Sequence, residues 1–283
     1  MRGTDVINEM KSASAFNKQS TVFDEIYSGN TIVQYKRRRV REHVREFLRP
    51  GSRILELNAG TGEDAIYFAE QDHWIHATDI SVGMQSRLAE KVKQHQLENK
   101  VTHEICSFTD LANLNQQGPY DLIFSNFAGL NCTSELEKVL RSFKPLLKAD
   151  GIVTLVLLPK FCLWETALAF KGKVKTAFRR FLRGNGRKAH IEGEYFLCWY
   201  YNPSFVKQIL KNDFEVCSLE GLCIFVPPSY IENFAEKHPK TFKRLVTLEN
   251  KWKTKWPWKT IGDYYIISFR KTKTQLKHSA TDF

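Results

Sequence analysis

The segment Ile54–Ala65, ILELNAGTGEDA, decides how the chain is read. The run Ile54–Leu57, apolar but for Glu56, leads into Asn58, Gly60 and Gly62, and helix-forming residues follow to Glu70. This is a strand, a glycine turn and a helix, the unit that opens nucleotide pockets. Its spacing fits two cofactors. Gly60, Gly62 and Ala65 satisfy the dinucleotide pattern G-x-G-x-x-A, and Asp79 lies downstream near the expected distance. The physical logic is common to both: glycines let the backbone approach a ligand, and an acid ending the second strand takes a ribose diol.

The surrounding pattern is α/β. Residues 36–48 place Val40, Val44, Phe47 and Leu48 on one helical face with arginines covering the rest, and Arg49-Pro50-Gly51 stops that helix. Strands are expected at 53–57, 73–78, 101–106, 120–125 and 152–158, with helices at 65–70, 84–96 and 136–147 between them. A helix from Asn202 to Leu210 and strands at 214–219 and 264–270 close the chain. The reading is one domain over 1–283: a helical cap 1–50, a cofactor-binding core 51–158, closing elements 202–219 and 263–271, and two irregular inserts. Those inserts, 159–201 and 220–262, are long enough to serve as lids.

Glu56 sits inside the first strand, where a dinucleotide strand carries an apolar residue, and no second mononucleotide-binding half follows the fourth strand. The pattern hydrophobic-Glu56-x-x-x-Gly60-x-Gly62 with a terminal Asp79 resembles the class I S-adenosylmethionine-dependent methyltransferases. The family usually has a glycine where this chain has Asn58, a residue that tolerates left-handed backbone. Further matches are Asp79-Ile80-Ser81 with Met84, the fourth-strand segment Tyr120–Ser125, and FKPLLKADG before the fifth strand. The resemblance covers about 21–158 and the closing strands. It implies a Rossmann-like fold: a mostly parallel seven-stranded sheet with an antiparallel last strand, helices on both faces and lid inserts. It also implies S-adenosylmethionine as cofactor. The residues placed around that cofactor are Tyr27, Asn30, Glu56, Asn58, Gly60, Thr61, Gly62, Asp79, Ile80, Met84, Ser107, Phe108, Ser125, Asn126 and Phe127. Ser107 stands where the family usually carries an Asp near the adenine.

What is methylated is less legible. Ser125-Asn126-Phe127-Ala128 is not the Asn-Pro-Pro-aromatic signature of base N-methylation. The stretch 171–188, KGKVKTAFRRFLRGNGRK, holds eight Lys/Arg and no acid, and the net charge is +11. A basic helix there, with Arg179, Arg180 and Arg183 at its rim, would suit an acidic carrier protein or an anionic membrane surface. A solvated face is the plain alternative. His190, Glu194 and Tyr195 are candidate bases in the same insert. The leading expectation is a small-molecule or lipid-type acceptor, possible on a carrier. An RNA methyltransferase and a non-catalytic cofactor-binding module stand behind it, nucleic acid being disfavoured by the absence of an appended RNA-binding motif. Six scattered cysteines without C-x-x-C disfavour a metal and fit reduced thiols in the cytoplasm. No apolar run reaches the ~18 residues that span a bilayer, which leaves at most a peripheral membrane position.

Overall fold

The computed structural model describes residues 2–167, 180, 186–231 and 233–272. The glycine turn follows β1 (Arg53–Leu57), and β2 (Trp74–Asp79), β3 (Val101–Ile105), β4 (Tyr120–Ser125) and β5 (Leu147–Leu157) succeed it. A small hairpin, β6 (Arg187–Ile191) with β7 (Glu194–Cys198), stands apart from the main sheet, which β8 (Phe214–Leu222) and β9 (Tyr264–Lys271) complete. The seven-stranded order is β3-β2-β1-β4-β5-β9-β8. Strands β1 to β5 pair in parallel, and β9 runs antiparallel to both of its neighbours, as expected.

Strand pleating sends successive residues to opposite faces. Leu55, Ile123 and Ile267 join a core with Leu140, Phe143 and Val206 on one side. Ile54, Phe124 and Ile266 join a second core with Val40, Phe68 and Leu88 on the other. The helices divide accordingly: α3 (Thr31–Arg45), α4 (Glu63–Glu70) and α5 (Val82–Gln94) supply the second core. The first is covered by α6 (Leu136–Arg141), α7 (Phe143–Leu146) and, past the short α8 (Leu163–Ala167), α9 (Pro203–Leu210). Parallel strands buried on both faces read as continuous apolar runs, which is why Ile152–Leu157 lacks alternation.

Several boundaries differ from the sequence expectation. The helix expected over 136–147 is divided at Ser142, and β5 already begins at Leu147. Pro145 has no N–H to give the carbonyl of Arg141, so one continuous helix cannot run through it. The helix expected over 36–48 starts earlier, at Thr31, because Asn30 Oδ1 accepts the N–H groups of Ile32 and Val33 at 3.1 Å each. The inserts are not irregular throughout. The first contains the β6–β7 hairpin, and the second contains α10 (Phe234–Lys237) and α11 (Pro239–Trp252). No helix among the described residues is long and apolar enough to cross a membrane.

The cap is built from α1 (Arg2–Gln19), α2 (Phe23–Ser28) and α3. Asn8 clamps α1 to the hairpin: its amide donates to the carbonyls of Cys132 (2.9 Å) and Leu197 (3.2 Å) and accepts from Leu197 N–H (2.6 Å). Asn17 Oδ1 accepts from Gly83 N–H at 2.6 Å, tying the other end of α1 to α5. The cap therefore lies across the carboxyl ends of the parallel strands, where α/β sheets bind ligands.

Candidate active site

A cavity of about 390 Å³ lies between that cap and the strand ends. Its floor is the turn after β1, Asp79 ending β2 with Ile80 after it, and Asn126 and Phe127 after β4; Ser12, Phe16, Tyr27, Lys36 and Arg37 of the cap roof it.

Local backbone geometry explains the turn. Gly62 has φ +82°, and an added Cβ would meet Leu88 Cγ at 2.7 Å, so helix α4 can approach α5 only with glycine there. Asn58 takes the place of the missing glycine at φ +48°. Its side chain is used as a stitch: Nδ2 donates to Asn126 O (2.9 Å) and Oδ1 accepts from Ser125 Oγ (2.6 Å). Gly129 leaves room for it, since a Cβ there would lie 2.2 Å from Asn58 Cγ. Asp79 accepts Gly60 N–H (3.0 Å) and Ser81 N–H (2.8 Å), so the same carboxylate that faces the cavity also fixes the turn. Burial nonetheless pushes its pKa above the ordinary aspartate value, against these hydrogen bonds. Thr61 Oγ1 donates to Asp24 Oδ1 (2.6 Å) and Lys91 joins Asp24 (2.5 Å) and Glu63 (2.7 Å), which fastens α2 over the glycines.

A second cluster sits deeper. Asp64 receives Arg41 (2.6 Å), Arg37 (3.4 Å) and the amide of Asn126 (2.7 Å). Burial opposes its charge, but the two guanidiniums outweigh burial and hold the carboxyl below its usual range. Glu56 is in the opposite condition. It is 3% exposed, it lines the cavity, and its Oε2 has no hydrogen-bond partner among the described residues. Burial first, then the neighbouring Asp64, push its pKa well above the carboxylate range. The Oε2 oxygen is left free to accept a hydrogen bond from the cavity. Arg37 Nε, also buried and unpartnered, is its cationic counterpart.

Of the residues expected around a cofactor, Tyr27, Glu56, Asn58, Gly60, Thr61, Asp79, Ile80, Met84, Phe108, Asn126 and Phe127 line this one cavity. Asn30, Gly62, Ser107 and Ser125 do not. Asn30 caps α3 and donates to Ser229 O (3.1 Å), Gly62 packs on Leu88, and Ser125 bonds Asn58. Ser107 is tied to Glu9 and Thr109.

His190, Glu194 and Tyr195 lie on the β6–β7 hairpin outside the lining. His190 packs on Tyr195 with ring centroids 4.5 Å apart, and Glu194 pairs with Lys18 at 2.6 Å. Ile191 is the hairpin's contribution to the cavity. The basic stretch 171–188 falls outside the described residues except Arg180 and 186–188. Arg180 corrects the expectation of a docking rim. It is 4% exposed, and its Nη2 donates to Glu165 (2.5 Å) and Asp263 (2.8 Å). It is a core ion pair, not a surface charge. It also fills the space among Cys162, Glu165 and Asp263, three residues otherwise close enough to ligate a metal.

Sequence reasoning missed Lys36, Arg37 and Asp64, all of which line the cavity. Lys36 and Arg37 belong to KRRRVREHVR, whose cations read as a solvated face, whereas both are less than one-tenth exposed.

A family model described as "Methyltransferase domain" matches residues 54–151. A search of curated protein sequences found no significant match. Among solved structures, the chain resembles the 1,6-didemethyltoxoflavin-N1-methyltransferase of Burkholderia thailandensis, bound to 1,6-didemethyltoxoflavin and S-adenosylhomocysteine. The TM-score is 0.55 at 15% identity, over 93% of this chain and 88% of that one. It also resembles an S-adenosylmethionine-dependent methyltransferase of Mesorhizobium loti (TM-score 0.51, 14% identity, 81% and 96% covered). A third is the phosphoethanolamine N-methyltransferase 2 of Haemonchus contortus with S-adenosyl-L-methionine (TM-score 0.56, 17% identity, 91% and 57% covered). At such identities these likenesses speak for the fold, and the family model speaks for the segment that carries the glycine turn. Residues 54–151 match a methyltransferase domain, and the chain as a whole has the fold of the S-adenosylmethionine-dependent methyltransferases it resembles.

Proposed function

We propose that the protein methylates a small-molecule acceptor inside the capped cavity, with the cofactor held along the ends of β1, β2 and β4. The observation that carries this reading is the buried, unpartnered Glu56 carboxyl beside Arg37 in a cavity that also presents Asp79. An amino-acid zwitterion fits that pair: its ammonium meets Glu56 and its carboxylate meets Arg37. Asp79 receives ribose hydroxyls, while Met84 and Phe108 offer apolar surface to a base. The sulfonium of the cofactor supplies an already activated methyl group. What remains for the chain is alignment and exclusion of water, which the roof of α1 to α3 provides.

The lining supports an acceptor that needs little help losing a proton. Among the described residues it contains no histidine. Burial raises the pKa of Tyr27 and of Tyr264, and a hydrogen bond with Cys198, then burial, raises that of Cys132. These groups are protonated donors at neutral pH and serve to orient, not to deprotonate. A volume of about 390 Å³ under a helical roof suits a small molecule better than an RNA strand. The small-molecule acceptors in the names of the Burkholderia and Haemonchus neighbours agree with this.

Calorimetry with S-adenosylhomocysteine tests the cofactor half. Asp79→Ala should weaken binding by ~1–3 kcal/mol, because it removes a charged acceptor from the ribose and from Gly60 N–H together. An unchanged affinity would take Asp79 out of the site. Glu56 gives a pH signature of its own. Burial and the neighbouring Asp64 hold its pKa well above the carboxylate range, and a bound ammonium would bring it down. Binding should therefore release a proton and tighten as pH rises. Titrations in buffers of different ionisation enthalpy read the release, and Glu56→Gln should abolish it. Methyl transfer itself is read by incubating labelled cofactor with extract fractions. Label confined to RNA or protein would overturn the small-molecule reading.

A further inference from the structure

We propose that the acceptor half of the cavity is an anion subsite centred on Lys36, so that the methyl acceptor is an organic acid carrying a carboxylate or phosphate. This rests on the reading of the cavity as the methyl-transfer site.

The strand ends divide the cavity in two. Glu56, Asp64 and Asp79 stand on the β1 and β2 side. On the other side are Phe127 after β4 and Tyr264, which opens β9. The antiparallel register of β9, with Leu157 opposite Tyr265, brings Tyr264 to the carboxyl ends of β4 and β5. Lys36 belongs to this second side. Its Nζ lies 4.7 Å from the Tyr264 ring centroid and 5.7 Å from that of Phe127, and it donates to Ser229 Oγ at 3.0 Å.

Lys36 differs from the arginines on the inner side of its helix. Arg39 pairs with Glu220 at 3.2 Å, Arg41 with Asp64 at 2.6 Å and Arg37 with Asp64 at 3.4 Å. Lys36 is equally buried, at 3% exposure, yet among the described residues no carboxylate forms an ion pair with it. An ammonium has three N–H donors, and Ser229 takes one. Aromatic faces attract a cation but accept no conventional hydrogen bond. Burial works to lower the Lys36 pKa, but Tyr264 and Asp263 outweigh it and hold it above the usual lysine range. The group is thus an ammonium and cannot act as a base. A buried ammonium with N–H donors left unused is costly, and an anion entering the cavity would supply the missing acceptor. Tyr27 and Ser229 line the same side and offer hydroxyls to the same group. The polarity also selects: a cationic acceptor head would be repelled here, while an anion placed by mistake on the far side would meet three acids.

The test uses the full chain and begins with S-adenosylhomocysteine binding. Benzoate and phenyl phosphate are then titrated calorimetrically into the protein saturated with that compound. At least one should bind wild type, and the better of the two identifies the acid as carboxylate or phosphate. Lys36→Met, which keeps volume and removes charge, should weaken that anion by about 10- to 100-fold, the range of a charge-assisted hydrogen bond. Lys36→Arg should restore most of it, and S-adenosylhomocysteine affinity should stay within about twofold in both variants. Absence of anion binding to wild type, or equal binding to Lys36→Met, overturns the subsite. A parallel loss of S-adenosylhomocysteine affinity in Lys36→Met would move Lys36 to the cofactor and overturn it too. Failure of wild type to bind S-adenosylhomocysteine would instead strike the proposed function on which the subsite rests.

Discussion

Glu249→Ala should destabilise the protein by about 3–5 kcal/mol, the cost of orphaning a buried, fully engaged polar group. Glu249 lies in α11 and is fully buried. Its Oε1 accepts Cys223 N–H at 2.8 Å and the Tyr35 hydroxyl at 3.0 Å. Its Oε2 accepts the N–H groups of Ile224 (3.0 Å), Phe225 (3.2 Å) and Val226 (3.0 Å). Alanine leaves five donors without an acceptor, and four of them are backbone groups that no rotamer change can redirect. The damage should also reach the cavity. The loop from Cys223 leads to Ser229, and Tyr35 adjoins Lys36 on α3. Glu249→Gln, which keeps one acceptor oxygen, should fall between the two. Denaturant unfolding measures both variants, and a loss under about 1 kcal/mol for alanine would show that water replaces the carboxylate.

Glu249 also illustrates where sequence reading stops. The glycine turn, Glu56 and Asp79 were legible because their roles are local: a few consecutive residues fix a strand, a left-handed turn and a helix start. The sheet was legible for the same reason, since each strand is an apolar run bounded by turn residues. Burial of charge has no such local trace. Glu249 sits in PKTFKRLVTLENKW, inside the insert expected to be irregular, and its five partners come from positions 35 and 223–226. Lys36, Arg37 and Arg39 lie in a run of cations that looks solvated, yet the partners of two of them are Asp64 and Glu220. His190 and Tyr195 of the hairpin read as candidate bases by residue type alone. They face away from the cavity because alternation along β6 and β7 turns Ile191 and Phe196 inward instead.

The second large effect concerns acid stability. Glu220 in β8 is 2% exposed and gathers Arg39 Nη2 at 3.2 Å, His43 Nδ1 at 3.0 Å and Lys253 Nζ at 2.5 Å. Burial alone would raise its pKa. The His43 hydrogen bond and the nearby cations outweigh burial and hold it at about 2, against 4.5 for the free side chain. Because the folded value is the lower one, the unfolded chain takes up the proton first as pH falls. The stabilisation is complete above about pH 4.5 and is lost as pH drops toward 2. At 1.36 kcal/mol per pH unit the difference amounts to about 3 kcal/mol. Glu220→Gln should remove this dependence along with the ion pairs. The variant should be about 3–5 kcal/mol less stable at neutral pH, and its stability should fall less steeply than that of wild type between pH 4.5 and 2. Urea unfolding across that range gives both slopes. Equal slopes would mean that Arg39 and Lys253 find other counter-ions when Glu220 is neutral. A difference near the expected size would show that a carboxylate outside the cavity lining anchors the helix that carries Lys36 and Arg37, because Arg39 and His43 belong to that helix.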